Sequence, residues 1–322
     1  MRSRITMLSL AAIMASVLGH SAFAADKEIV AIYKSGTQQY FIDQADGFKK
    51  AAEARGYSSN IINVELDANR AISAVSDAIA SGAKGIAITA PDQAIGPAVA
   101  KAASDAKVLL VATDDPLQKN DGSAVPFVGF DGTAMGNSVG EAAVDILKKS
   151  GWMDGANYGV LATEYQTVSV CNDRTNASRQ KLEDAGVAAD HFKVVAYDGT
   201  TDNALQAAGP VITANPGIDK WIVYACNDEG VLGATNALRN AGFNPEDVIG
   251  VGLGAYEACR PWQAGIATGF KAALYLSGAD VGKAAANALI DAIEGTKPLP
   301  EKTVADTTIV TPDNYKDVMP CS

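Results

Sequence analysis

Residues 85–115 read GIAITAPDQAIGPAVAKAASDAKVLLVATDD, and this stretch decides the fold. Gly85-Ile86-Ala87-Ile88-Thr89 and Val108-Leu109-Leu110-Val111-Ala112 are short, continuously apolar runs, and a helix is expected between them from about Ala94 to Ala106. A strand apolar on both faces, then a helix, then another such strand is the unit of a parallel sheet covered by helices on both sides. The same cadence runs outward in both directions. Upstream, Ile29-Val30-Ala31-Ile32-Tyr33 and Ile61-Ile62-Asn63-Val64 read as strands, with helices over Phe41 to Ala54 and Ala68 to Ala80. Downstream, Tyr158 to Ala162, Phe192 to Ala196, Trp221 to Tyr224 and Val248 to Val251 are strands separated by helices. The restart after Asp115 predicts an α/β protein of two doubly wound parallel-sheet domains. An eight-unit β/α barrel is the rival. Val125-Pro126-Phe127-Val128 and Ala273-Leu274-Tyr275 argue against it, because they read as crossovers between domains. There is no low-complexity linker, so the hinge is expected to be several short strands.

The N-terminus reads as a secretory signal. Arg2 and Arg4 precede an apolar run from Met7 to Leu18, too short to span a bilayer, and Ser21-Ala22-Phe23-Ala24 offers small residues for cleavage after Ala24. No Cys stands directly after the apolar run and the arginines are not adjacent, so neither a lipid anchor nor a twin-arginine signal is expected. Removing Arg2 and Arg4 from 26 basic residues leaves 24 against 37 acidic ones. That surplus of negative charge argues against nucleic acid and anionic membranes as partners. Past the signal His191 is the only histidine, which argues against a histidine-based metal site. The four cysteines, Cys171, Cys226, Cys259 and Cys321, permit two disulfides in three connectivities, and no CxxC is present. Cys259 with Cys321 is the preferred pair because it ties down the C-terminal tail. Free buried thiols remain the alternative for Cys171 and Cys226.

In doubly wound sheets ligands sit beyond the C-terminal strand ends, so the polar residues there are the site candidates. They are Lys34 after the first strand, Asp114 and Asp115 after the fourth, and Asn227-Asp228 after Tyr224-Ala225-Cys226. Arg174, near a helix start, joins them. Taken singly, each equally fits a solvated loop residue or a helix cap. Together they make a coherent polyol site: carboxylates accept from hydroxyls, while Lys, Arg and Asn donate to hydroxyl and ring oxygens. Tyr40 offers a ring for the apolar face of a pyranose, with packing in the core as its plainer role.

At these residues the chain resembles the periplasmic sugar-binding proteins of ABC importers, in particular those that bind L-arabinose. The likeness runs over essentially the whole chain after the signal. It is clearest at Ser81-Gly82-Ala83-Lys84-Gly85, Thr113-Asp114-Asp115, Asn227-Asp228 with Val231-Leu232-Gly233, Ala267-Thr268-Gly269-Phe270, and Ile309-Val310-Thr311 with Asp313-Asn314. The resemblance implies the type I periplasmic binding fold. Lobes are then expected at 25–130 plus 277–306 and at 131–276 plus 307–322, joined by three crossings and closing over a monosaccharide. It also implies a monomer that docks on an ABC transporter membrane permease in the periplasm and needs no cofactor. The sugar-binding positions carry over to Lys34, Asp114, Asp115, Arg174 and Asn227. Gln38 stands where a carboxylate is expected, Tyr40 where a stacking Trp is, and Gly254 where an Asn is. The last departure removes a donor and an acceptor and leaves the identity of the sugar open.

Two motifs read as decoys. Gly136-Asn137-Ser138-Val139-Gly140 has the spacing of a hydrolase elbow, but Asp131 to Met135 before it reads as a helix start rather than a strand. Gly250-Val251-Gly252-Leu253-Gly254 lacks the third glycine of a dinucleotide fingerprint and reads as a tightly packed strand end. An exported sugar-acting enzyme would rest on Asp114 and Asp115, yet adjacent carboxylates do not flank a scissile bond, so no catalytic activity is expected. A sensory role, presenting bound sugar to a receptor, is compatible with capture. The signal and the absence of an N-terminal helix-turn-helix argue strongly against a DNA-binding repressor.

Overall fold

The computed structural model describes residues 27–321, so the expected signal and its cleavage point lie outside the described residues. The first part of the chain runs β1 (Glu28–Tyr33), α1 (Gln39–Ala54), β2 (Ser58–Asn63), α2 (Ala68–Ala80), β3 (Gly85–Ile88), α3 (Gly96–Asp105), β4 (Leu109–Thr113) and β5 (Phe127–Gly129). The second runs α4 (Gly132–Ser150), β6 (Tyr158–Glu164), α5 (Ser169–Asp184), β7 (Phe192–Ala196), α6 (Thr201–Thr213), β8 (Lys220–Ala225), α7 (Asp228–Asn240), β9 (Val248–Gly254), α8 (Tyr256–Gln263) and β10 (Phe270–Leu276). The chain ends with α9 (Gly278–Ile293), β11 (Lys302–Val304), β12 (Thr307–Val310) and α10 (Tyr315–Val318).

These strands form two six-stranded sheets, ordered β2-β1-β3-β4-β5-β11 and β7-β6-β8-β9-β10-β12. The doubly wound expectation holds, with helices on both faces of inner strands that are buried almost end to end. One strand departs from it. β12 pairs antiparallel with β10, because Ala305 and Asp306 carry the chain straight from β11 without the helical crossover that a parallel return needs. The chain passes between the sheets after β5, after β10 and after β11. The two segments read as crossovers are therefore strand residues: Phe127 and Val128 lie in β5, and Ala273 to Tyr275 lie in mid-β10. Only the residues directly after them cross.

Small residues set how closely the helices approach. A Cβ on Gly136 would come within 2.1 Å of the Arg174 carbonyl oxygen, and one on Gly140 within 2.7 Å of the Lys181 Cβ. The hydrolase-like spacing is thus a contact face of α4 on α5, and the Ser138 Oγ–H donates to the Ala134 carbonyl within its own helix at 3.1 Å. β2 starts earlier than its apolar run, at Ser58, because as an edge strand it is half-exposed and tolerates Ser58, Ser59 and Asn60 opposite β1. Two disulfides are formed, Cys259–Cys321 as preferred and Cys171–Cys226 in place of the free-thiol alternative. Among the described residues no helix is long and apolar enough to cross a membrane.

Candidate functional site

The C-terminal ends of β1, β4, β8 and β9 face one cavity between the two lobes, of about 680 Å³ counting its open mouth. Lys34, Gln38, Tyr40 and Asp114 line it from the first lobe, and Arg174, Asn227 and Gly254 from the second. Seven of the eight positions carried over by the resemblance therefore meet there, and Asp228 lines the cavity with them. Asp115 is the exception. It is fully buried, is not part of the lining, and one of its carboxylate oxygens takes an ion pair from the Lys34 ammonium. Its Oδ1 is buried with no partner. Burial pushes the Asp115 carboxyl up while Lys34 pulls it down. β4 ends at Thr113, and past it Asp114 reaches the cavity while Asp115 stands behind Lys34.

Charge pairing bridges the lobes. The buried Arg174 guanidinium on α5 donates from Nη2 to Asp114 Oδ1 at 3.5 Å, and from Nη1 to the Cys226 carbonyl at 3.2 Å. The Tyr40 hydroxyl donates to the same Asp114 oxygen at 3.4 Å. Asp114 sits at φ +61°, a left-handed conformation that Asp tolerates better than most residues. The Tyr40 ring stands edge-on to Phe41 at 5.0 Å and to Tyr256 at 6.2 Å. Burial, and then Asp114, hold its hydroxyl well above the usual tyrosine value, so it is neutral. The Gln38 Nε2 donates across the cleft to the Gly199 carbonyl at 3.3 Å, something a carboxylate at that position cannot do.

Asn227 is more committed than its sequence position suggests. It caps α7, accepting from the Gly230 N–H at 3.0 Å and from the Tyr197 hydroxyl at 2.6 Å, while its Nδ2 donates to the Gly199 carbonyl at 2.9 Å. One amide hydrogen remains for a ligand. Gly254 is shaped by its neighbour. Asp228 lies buried beneath β9, and a Cβ on Gly252 would come within 2.2 Å of Asp228 Oδ1. Asp228 Oδ2 accepts the Glu257 N–H at 3.0 Å, so Asp228 caps α8, whose own N-cap Ala255 makes no side-chain bond. Burial pushes the Asp228 carboxyl up to about 7. Burial and then Asp228 push Glu229 up to about 8.

The sequence reading missed Tyr165 and Glu229, which also line the cavity. Tyr165 follows β6 directly, so extending the strand-end rule to that strand finds it. Glu229 sits one residue past Asn227-Asp228 in the first turn of α7, where its acidity reads as an ordinary helix-start preference. Among the described residues no group of three or more His, Cys, Asp and Glu is placed to hold a metal ion. The site can therefore offer a dense set of fixed donors and acceptors, plus one aromatic face.

The model of the periplasmic binding protein domain matches residues 29–297 of the chain. The ABC transporter L-arabinose-binding periplasmic protein of Azospirillum brasilense is 32% identical over 295 residues, covering 89% of this chain and 87% of that one. The L-arabinose-binding periplasmic protein of Escherichia coli strain K12 is 28% identical over 316 residues, covering 96% and 95%. Among solved structures, a carbohydrate transporter solute-binding protein from Agrobacterium radiobacter in complex with D-arabinose superposes with a TM-score of 0.76 at 20% identity, covering 91% of this chain and 97% of that one. At that identity the superposition speaks for the fold alone.

Proposed function

The chain belongs to the periplasmic binding protein domain family, and from that membership we propose that it captures a monosaccharide between its lobes and delivers it to an ABC transporter permease. The observation that carries this is the set of hydrogen-bonding groups left over in the cavity once the protein's own bonds are counted. Lys34 retains two ammonium hydrogens beyond its pair with Asp115, Arg174 retains its Nε–H, and Asn227 and Gln38 retain one amide hydrogen each. Asp114 accepts, and the Tyr40 ring offers a face. That set suits a neutral, hydroxyl-rich ring, whose every unpaired hydroxyl would weaken binding in a closed cleft.

In this reading Lys34, Gln38, Tyr40, Asp114, Arg174 and Asn227 contact the sugar, Asp115 holds Lys34 in place, and Gly254 leaves room beside the ring. The lobes are 25–130 with 277–306, and 131–276 with 307–322. The protein acts as a periplasmic monomer without nucleic-acid partners, exported by its N-terminal signal. It binds its ligand and releases it unchanged, as its family of transport proteins does.

A thermal-shift screen of the mature protein against pentoses, hexoses, deoxy sugars and polyols tests the reading, with L- and D-arabinose first because of the relatives named above. A ligand at about 100 times its dissociation constant adds roughly 2.7 kcal/mol to stability. One sharp responder, recovered unchanged after long incubation, is the expected outcome. A flat panel, or a converted sugar, overturns it.

A further inference from the structure

The N-terminus of α5 is completed from the opposite lobe. A helix start leaves its first N–H groups without partners inside the helix, and a side-chain oxygen at the N-cap usually supplies one. The N-cap of α5 is Val168, buried and apolar, with no side-chain bond to offer. Instead the Ser169 N–H donates to Gln93 Oε1 at 3.1 Å. Gln93 belongs to the first lobe, where it opens the tight turn Gln93–Ile95 between β3 and α3. The turn is stiff. Asp92 Oδ1 accepts the Ala94 N–H at 2.8 Å, Ile95 is buried, and Gly96 lies so close to Gln118 that a Cβ there would come within 2.6 Å of its carbonyl oxygen.

The helix served by this contact carries Arg174, bonded across the cleft to Asp114, and Cys171, bonded to Cys226 at the end of β8. Gln38 and Arg174 also join the lobes, but both line the cavity, whereas Gln93 does not. We propose that Gln93 is a closure latch, a positioning residue outside the sugar pocket that caps α5 when the lobes meet and so sets affinity without selecting the sugar.

The inference rests on the proposed capture between lobes. When the lobes part, water replaces Gln93 at the Ser169 N–H, so the bond favours only the closed state. The closing equilibrium is then scaled by one factor whatever fills the cleft. A single partly exposed hydrogen bond corresponds to a factor of about two to ten. Because the bond breaks on opening, the factor falls on the dissociation rate.

The test compares wild type with Gln93→Ala and Gln93→Glu. It uses calorimetric affinity for several sugars that wild type binds, stopped-flow dissociation, and interlobe fluorescence energy transfer on the unliganded protein. Gln93→Ala is expected to weaken every sugar by the same factor of about two to ten, through faster release, and to reduce the unliganded closed fraction equally. Gln93→Glu keeps an acceptor oxygen at a helix N-terminus and is expected to retain wild-type affinity or better. Unequal factors across sugars would show that Gln93 touches the ligand and overturn the latch. An unchanged affinity and closed fraction in Gln93→Ala overturn it as well. If wild type binds no sugar, the capture reading fails by itself, and the unliganded energy transfer still decides the latch.

Discussion

Gly254 has a backbone that an asparagine rarely adopts, at φ +133°. Space alone would admit a side chain, since an added Cβ meets Asp228 Oδ2 only at 3.4 Å, an ordinary contact. The strain is therefore in the dihedral. Gly254→Asn is expected to destabilise the folded protein by about 1–3 kcal/mol, measured by urea denaturation without ligand. A gain of arabinose preference would require the backbone to move as well. A variant as stable as wild type with unchanged sugar selectivity would show that the conformation carries no strain. Sequence alone marked Gly254 as a missing amide, but a positive φ leaves no sign in a strand that already carries Gly250 and Gly252. Asp115 was hidden for a related reason. Two adjacent aspartates look equivalent on paper, and the left-handed backbone at Asp114, just past the end of β4, leaves no sign in the sequence, so the cavity-facing Asp114 and the Asp115 that holds Lys34 part only in the fold.

At the scale of elements, α5 shows what the strand-end rule leaves unexplained. Its low overall hydrophobicity marks a helix that sits on the surface, yet Cys171, Arg174, Thr175 and Ser178 are all buried on one face. That face is fixed at its first turns by the Cys171–Cys226 disulfide, which ties the helix to the end of β8, and Arg174 then donates to the carbonyl of the same Cys226. The cysteines were visible in sequence, but their pairing depends on where α5 packs, which spacing does not encode. Cys171→Ser combined with Cys226→Ser is expected to lower stability by about 2–4 kcal/mol and to weaken sugar binding, because Arg174 loses its anchored frame. Thermal melting and titration calorimetry on the double variant check both parts. Lower stability with unchanged affinity would confine the disulfide to a folding role. The strands and helices were more legible, since continuous apolar runs mark strands covered on both faces. β12 was not, because its direction is set by a two-residue crossing rather than by its own composition.

At the scale of the whole molecule, the cleft gathers acids that folding holds away from their ordinary state, and this sets the pH response. Asp228 titrates near 7 in the folded protein against an ordinary 3.8, and Glu229 near 8 against 4.5, each raised first by burial. Asp115 is raised in the same direction. Between the ordinary and the raised values the folded state binds protons that the unfolded state has lost. Stability therefore falls as pH rises through this window, the reverse of the usual carboxylate behaviour. The opposing group is Asp121, Asp131, Asp247 and Asp291, held below the ordinary value by hydrogen bonds from Ser123, Ala134, Lys220 and Arg55 respectively. Their stabilising contribution is lost only as pH falls below about 4–5. The unliganded protein is therefore expected to melt highest near pH 4–5 and progressively lower toward pH 8.5 at fixed ionic strength, with each kcal/mol moving Tm by roughly 2–4 °C. Asp228→Asn separates this from a general charge effect, because an amide oxygen still accepts the Glu257 N–H but cannot ionise. The variant should match wild type near pH 4 and lose less of its Tm by pH 8.5. A Tm that rises from pH 6 to 8, or a variant with the same slope as wild type, would show that the buried carboxyl at the base of the cleft does not govern this response.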